Sequence, residues 1–283
     1  MPELPEVEVL ARHLRPVIRG KTIRGVKVLR MKIIRPTSLR EFQKALTGAK
    51  FTGLTRRGKY LRFELRPKSS RKSFTLLGHL GMTGKMFVAQ KKEPLPKHAA
   101  VVFDLGRENF IYEDTRYFGR MTLDLTALAS LGPEPMSVDF QPATFARVLK
   151  RSLQAIKVKL LDQSLVAGVG NIYASEALFR ARISPKLAAN KLTLAQVNKL
   201  WGTIREVLVE AIAGGSTVQL NFTGGKSDGL FYFGRSPETP DFYQERLQVY
   251  DRAGKPCVNC GRPIKRLVQA ARSTFYCPYC QIA

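Results

Sequence analysis

All four cysteines of the chain fall in its last 27 residues, as Cys257-Val-Asn-Cys260 and Cys277-Pro-Tyr-Cys280. The spacing C-x2-C-x16-C-x2-C restricts the fold more than any other feature. Each C-x2-C turn offers two thiolates to one side of a tetrahedron, and the 16 intervening residues have room for a hairpin. Two disulfides are the competing reading, and they do not persist in a reducing cytosol. The expectation is one structural Zn2+ held by Cys257, Cys260, Cys277 and Cys280. Four sulfurs close the coordination shell and leave no position for a substrate.

Charge narrows the partner. The chain has 47 Lys+Arg against 22 Asp+Glu, a formal net charge of +25 over 283 residues. Such a field attracts polyanions, so nucleic acid leads and an anionic membrane surface follows. No apolar run approaches the length of a membrane span, and the acidic first turn is unlike a signal peptide. A cytoplasmic protein is expected.

Periodicity divides the chain. Val7, Leu10, Leu14 and Val17 recur at helical spacing after MPELPE, and Gly20 supplies a stop. From about residue 22 to 125, short β-like runs follow (KTIRGVKVLR, KYLRFEL, SFTLLGHLGM, HAAVVFDL, RMTLDL), with turn residues between them. A helix over Leu39 to Leu46 interrupts them. LGPEPMSVDF reads as a linker. Beyond it, helices are expected over Phe145 to Leu161, Ile172 to Arg182 and Leu194 to Ala213. The glycine-rich 214–229 stretch is expected to be mobile. The fold class is therefore α+β, with an N-terminal β-sandwich domain and flanking helix (1–130), a linker (131–143), a helical domain (144–246) and a zinc hairpin (247–283).

Several stretches can carry chemistry, each with a plainer reading beside it. MPELPE sets Glu3 and Glu6 beside Pro2, whose secondary amine is freed if Met1 is trimmed; helix capping explains the same residues. In SLVAGVGNIYASEALF, Gly168 and Gly170 precede Asn171 at a helix start, an arrangement that suits a phosphate or merely a tight turn. Lys157 lies on the preceding basic helix. Arg272 falls near the tip of the zinc hairpin, within reach of a phosphate or of solvent. Met82, in GHLGMTGKM, is expected on an exposed glycine turn, and Phe118 in DTRYFG on a second loop. Either side chain can wedge into a base stack or belong to the core. The basic turn TRRGKY carries Lys59. The three histidines have no metal-ligand spacing, Trp201 reads as core, and neither a phosphate-cradling loop nor a dinucleotide fingerprint occurs, so no nucleotide cofactor is expected.

MPELPEVE, HLGMTG, DTRYFG, LGPEP, GVGNIYASE and RSTFYC, together with the cysteine pairs, resemble the formamidopyrimidine-DNA glycosylase family from end to end. The opening is similar to its purine-lesion branch. The resemblance implies a helix–two-turn–helix DNA-binding domain and a bacterial, nucleoid-associated monomer that acts on double-stranded DNA containing damaged bases. It implies excision of oxidised purines such as 8-oxoguanine and formamidopyrimidines, then strand cutting by β,δ-elimination. Pro2 is then the nucleophile, Glu3 the general acid/base, Glu6 a support for the sugar, and Lys59 a contact to the lesion-side backbone. Met82 and Phe118 become the base-stack wedge, with His98, Arg116, Lys157, Asn171 and Arg272 as DNA contacts.

The chain departs from the family at two places. DTRYFG has Thr115 and Tyr117 where the common pattern reads Pro and Arg. The segment from Gly214 to Tyr250 is about a dozen residues longer than usual, with the extra residues within 222–245, either a lid or a surface excursion. Two alternatives therefore stand: the same chemistry on oxidised pyrimidines, and a DNA-damage binding protein that does not cut. Intact Pro2, Glu3 and Glu6 speak against the second, and a transcription factor lacks base-reading side chains.

Overall fold

The computed structural model describes residues 2–68, 70–215 and 246–282. The described residues separate into two compact units, the first within 2–129 and the second comprising 130–214 and 246–282. The expected mobile stretch at 214–229, from residue 216 onward, and the extra residues within 222–245 lie outside the described residues.

The first unit opens with helix α1 (Leu4–Ile18), which buries Val7, Leu10, Leu14 and Ile18. It ends just before Gly20, whose φ of +84° is unstrained only in glycine. Strand β1 (Gly25–Val28) and helices α2 (Met31–Ile34) and α3 (Leu39–Leu46) follow. The remaining strands are β2 (Lys50–Arg57), β3 (Tyr60–Arg66), β4 (Phe74–His79), β5 (Gly84–Gln90), β6 (Ala99–Asp104), β7 (Glu108–Asp114) and β8 (Arg120–Thr122), before a short α4 (Thr126–Ala129). They form two antiparallel four-stranded sheets, β1-β6-β7-β5 and β2-β3-β4-β8. Burial alternates along β3, as period-two patterning requires. The inward phenylalanines interdigitate: Phe110 meets Phe51 at 6.1 Å and Phe63 at 5.6 Å, and stacks on Phe103 at 5.4 Å. One core cluster thus joins residues of both sheets and α1, the β-sandwich with flanking helix that the sequence predicts.

In the second unit, one expectation fails. The helix foreseen over Phe145 to Leu161 is two helices, α5 (Pro142–Lys150) and α6 (Ile156–Leu160). The break has a hydrogen-bond cause: Ala155 bridges Ala188, and the Ile156 N–H donates to the Leu187 carbonyl at 2.7 Å, so these amides are spent outside a helix. Helix α7 (Asn171–Ala181) begins one residue early and ends where Arg182 turns left-handed at φ +60°. Helix α8 (Leu194–Ala213) has the expected limits and opens with a Thr193/Gln196 capping box. Trp201 is half-buried rather than core, and its indole N–H donates to the Phe140 carbonyl at 2.7 Å.

Strands β9 (Lys265–Gln269) and β10 (Arg272–Tyr276) form the zinc hairpin, with Arg272 opposite Gln269. Its two-residue turn, Ala270-Ala271, has φ of +47° and +57°, the signs of a type I′ turn. No helix among the described residues is long and apolar enough to cross a membrane.

Candidate active site

At the start of α1, two carboxylates are withdrawn from water. Glu3 is 1% exposed and Glu6 is fully buried. The Glu3 N–H donates to Glu6 Oε2 at 2.7 Å, and the Glu3 carboxylate accepts from the Glu6 N–H, closing a capping box. Pro2, also buried, is the next residue outward. The turn between β2 and β3 is held to this end of the helix. Arg56 donates from Nε to Glu8 at 2.9 Å and from its guanidinium to the Gly58 carbonyl at 3.0 Å, so the turn that carries buried Lys59 is fastened to the second turn of α1.

His79 belongs to the same corner, although histidine spacing gave no reason to select it. Its ring lies 4.7 Å from that of Tyr60, and its Nδ1 accepts the Gly81 N–H at 3.1 Å. Burial, then the charges of Lys59 and Arg120, push its pKa down to about 4. It is therefore neutral at physiological pH, with its proton on Nε2. The signal available in sequence was its position three residues before Met82.

Met82 lies on the turn after β4, half-buried rather than fully exposed. Gly81 explains why. A Cβ there would meet the Gly119 nitrogen at 2.6 Å, so the turn rests directly on the loop after β7. That loop presents exposed Arg116 and Phe118 (48% exposed), with Arg116 over the Phe118 ring at 4.8 Å and Lys32 at 5.5 Å. Tyr117 between them has φ of +52° and carries Arg30 over its ring at 5.1 Å. Its hydroxyl lies 3.5 Å from His98 Nδ1. The structure thus brings Met82, His98, Arg116 and Phe118 together.

In the second unit, the glycine turn before α7 is braced by Gln163, which accepts the Gly168 N–H at 2.9 Å and donates to the Val169 carbonyl at 2.8 Å. Lys157 is only 1% exposed, far from the solvated lysine that a basic stripe suggests. Its ammonium donates to Asn171 Oδ1 at 2.6 Å, and Asn171 Nδ2 donates to the Ser273 carbonyl at 2.8 Å. This relay runs from α6 through α7 into the zinc hairpin, one residue from exposed Arg272. A second tie is stronger. Buried Glu176 accepts the N–H groups of Gln248, Val249 and Tyr250 at 2.8–2.9 Å. Burial pushes its pKa up, against the opposing pull of those three N–H groups and of Arg180.

The four cysteine sulfurs lie within 4.8 Å of one another, with Cys257–Cys280 at 3.8 Å and Cys260–Cys277 at 3.5 Å. Tetrahedral Zn–S bonds of ~2.3 Å require sulfur–sulfur separations of ~3.8 Å, so the donor set fits one structural zinc. The metal would be held by these four thiolates and would supply stability to the hairpin.

A β-sandwich with buried carboxylates at its N-terminus, joined to a helical unit with a glycine-braced helix start and a four-cysteine hairpin, defines a zinc-finger protein of the helix–two-turn–helix class. The family models agree in chain order: the formamidopyrimidine-DNA glycosylase N-terminal domain matches residues 1–121, the formamidopyrimidine-DNA glycosylase H2TH domain 131–221, and the zinc finger found in FPG and IleRS 254–282. The chain belongs to the formamidopyrimidine-DNA glycosylase family. It is 43% identical to the formamidopyrimidine-DNA glycosylase of Symbiobacterium thermophilum, over 99% of this chain and 89% of that one. It is 41% identical to that of Chloroflexus aurantiacus, over 100% and 98%. Among solved structures, Lactococcus lactis Fpg in complex with DNA containing N7-benzyl-Fapy-dG superposes with a TM-score of 0.86 at 34% identity, covering 99% of each chain. The same enzyme's complex with an abasic-site DNA gives 0.86 at 35%, again with 99% of each covered.

Proposed function

We propose that the chain is a DNA glycosylase of base excision repair that is also an abasic-site lyase, working on oxidised purines through an N-terminal proline Schiff base. The observation that carries this reading is the pair of buried carboxylates next to Pro2, each accepting the other residue's backbone N–H, in a chain of this family. Helix capping accounts for the two carboxylates, but a pure binding protein has no need of a free amine beside them.

With Met1 removed, Pro2 is a secondary amine. An α-amine with an ordinary pKa of about 8 retains a useful neutral fraction at physiological pH. It attacks C1′ of the damaged nucleotide, the bond from C1′ to the base nitrogen breaks, and the base departs with a proton. Ring opening and loss of the amine proton leave an iminium between Pro2 and C1′. The iminium acidifies the C2′ hydrogen. Its removal expels the 3′ phosphate by β-elimination, and a second elimination expels the 5′ phosphate. Glu3 carries protons to and from the opened sugar, and Glu6 supports the sugar while fixing the Glu3 backbone. Lys59 holds the lesion-side phosphate. The damaged base must leave the stack at a cost of a few kcal/mol, which the Met82 and Phe118 wedge and the phosphate contacts of Arg116, His98, Asn171 and Arg272 offset. Lys157, being buried on Asn171, acts by aiming that amide.

The test is borohydride trapping on a duplex with 8-oxoguanine opposite cytosine, followed by peptide mapping. A covalent adduct on a peptide beginning at Pro2 is expected, with Pro2→Thr and Glu3→Gln binding the lesion but not nicking. No adduct with tight lesion binding overturns the enzyme reading. An adduct only with an oxidised pyrimidine keeps the chemistry and replaces the substrate.

A further inference from the structure

Asp114 ends β7, is fully buried, and belongs to none of the roles above. Three donors from two separate segments converge on its carboxylate. Oδ1 accepts the Thr83 hydroxyl at 2.6 Å and the Arg116 N–H at 3.1 Å, while Oδ2 accepts the Gly119 N–H at 2.9 Å. The Tyr112 hydroxyl stands 3.5 Å from Oδ2 while donating to the His79 carbonyl at 3.1 Å. The Asp114 N–H is itself bonded to the His98 carbonyl at 3.1 Å.

The consequence is mechanical. Met82 has Gly81 on one side, seated on the Gly119 backbone, and Thr83 on the other, bonded to Asp114. Phe118 lies between Arg116 and Gly119, both bonded to the same carboxylate. Gly119 closes the contact from the other side, since a Cβ there would meet the His79 carbonyl at 2.5 Å. Tyr117 adopts its left-handed backbone inside this frame, a conformation that persists only where the surroundings over-determine it. We infer that Asp114 is a positioning residue that locks the Met82 turn and the 115–119 loop into one rigid wedge, so that both side chains enter a base stack in a single step. The inference rests on the proposal that Met82 and Phe118 fill the space left by a flipped base.

An acceptor-only group is required. An asparagine oxygen can replace one carboxylate oxygen, but its amide N–H2 then faces either the Arg116 or the Gly119 N–H, donor against donor. Asp114→Asn should therefore loosen the 115–119 loop, whichever way the amide turns, while leaving Pro2, Glu3, Glu6 and Lys59 intact. The readout is 2-aminopurine fluorescence beside an 8-oxoguanine:cytosine pair, which reports unstacking whether or not the strand is cut. It is paired with nicking of an abasic site in duplex against single-stranded DNA, where no stack has to be held open.

For Asp114→Asn the unstacking phase should slow about tenfold or more, and the duplex-to-single-strand nicking ratio should fall by a similar factor. Thr83→Val, which releases only the Met82 turn, should give a smaller loss in the same ratio. Adding Met82→Ala to Asp114→Asn should cost little further, because one wedge cannot be lost twice. An unchanged unstacking rate, equal losses on both substrates, or additive effects of the two substitutions would overturn the inference. A wild-type protein that unstacks the pair without nicking would sink the lyase reading and leave this one standing.

Discussion

Glu176 holds the zinc module to α7, and its replacement can be worked through quantitatively. Its Oε2 accepts one backbone N–H and its Oε1 two, within 2.8–2.9 Å. Glutamine keeps the volume and can still serve Val249 and Tyr250 through its oxygen, but its amide meets the Gln248 N–H as a second donor. One unsatisfied, part-buried donor costs about 1–3 kcal/mol. Alanine removes both acceptor oxygens and with them all three bonds. At roughly 1.5 kcal/mol for each charge-assisted bond, less what water recovers at the two part-buried amides, the loss is about 4 kcal/mol. Arg180 also attracts the Glu176 carboxylate, while its guanidinium is held by Glu210 at 2.6 and 2.7 Å, and that attraction lies outside the three-bond sum. A loss of that size leaves a domain of 5–15 kcal/mol folded but lowers its Tm by roughly 10 °C. Urea unfolding gives the first number, and transfer of zinc to a chromophoric chelator gives the second readout. Zinc release should quicken in the order wild type, Glu176→Gln, Glu176→Ala, because residues 248–250 lead directly into Cys257. If both variants unfold within about 0.5 kcal/mol of wild type, or if glutamine is as damaging as alanine, the three-bond cradle is not what secures the hairpin.

Two further predictions use other parts of the structure. His79 has a folded pKa near 4 against 6.5 in the unfolded chain, so the unfolded state binds its proton first as pH falls. The stability it contributes is intact above pH 6.5 and is lost between 6.5 and 4, by up to about 3 kcal/mol, and His79→Gln should flatten that part of a urea-midpoint profile; a profile parallel to wild type would contradict the assignment. Ala270 and Ala271 both occupy the left-handed region. Replacing them by Asn-Gly should stabilise the hairpin by about 1–2 kcal/mol, seen as slower zinc loss, whereas no gain would mean that the turn is not the strained element.

Much of this was legible because solvation leaves a period. Leu194 to Ala213 alternates at helical spacing, and the helix follows it to the residue. The cysteine spacing specified a tetrahedral donor set, and the sulfurs are gathered as a zinc site demands. What failed was what period does not encode, the destination of individual hydrogen bonds. Nothing in the run from Phe145 to Leu161 says that Ile156 will donate to Leu187, so its amphipathic stripe reads as one helix. Lys157 reads as a surface cation because its partner, Asn171, is fourteen residues away, and Asp114 gives no signal at all because its partners Thr83 and Gly119 come from either side of it in sequence. The spacing of the histidines cannot single out His79 for the same reason: its environment is built by Lys59 and Arg120 across two strands.

The capping box at Glu3 and Glu6 separates two kinds of selection that usually coincide. A helix start is indifferent among several side chains, and Ser with Glu three residues on would close the same pair of bonds. A mutational library sorted on folding alone should therefore accept serine at position 3, while one sorted on survival of oxidative damage should reject it. The gap between those two tallies, read position by position along MPELPE, would measure how much of this N-terminus is kept for building the molecule and how much for using it.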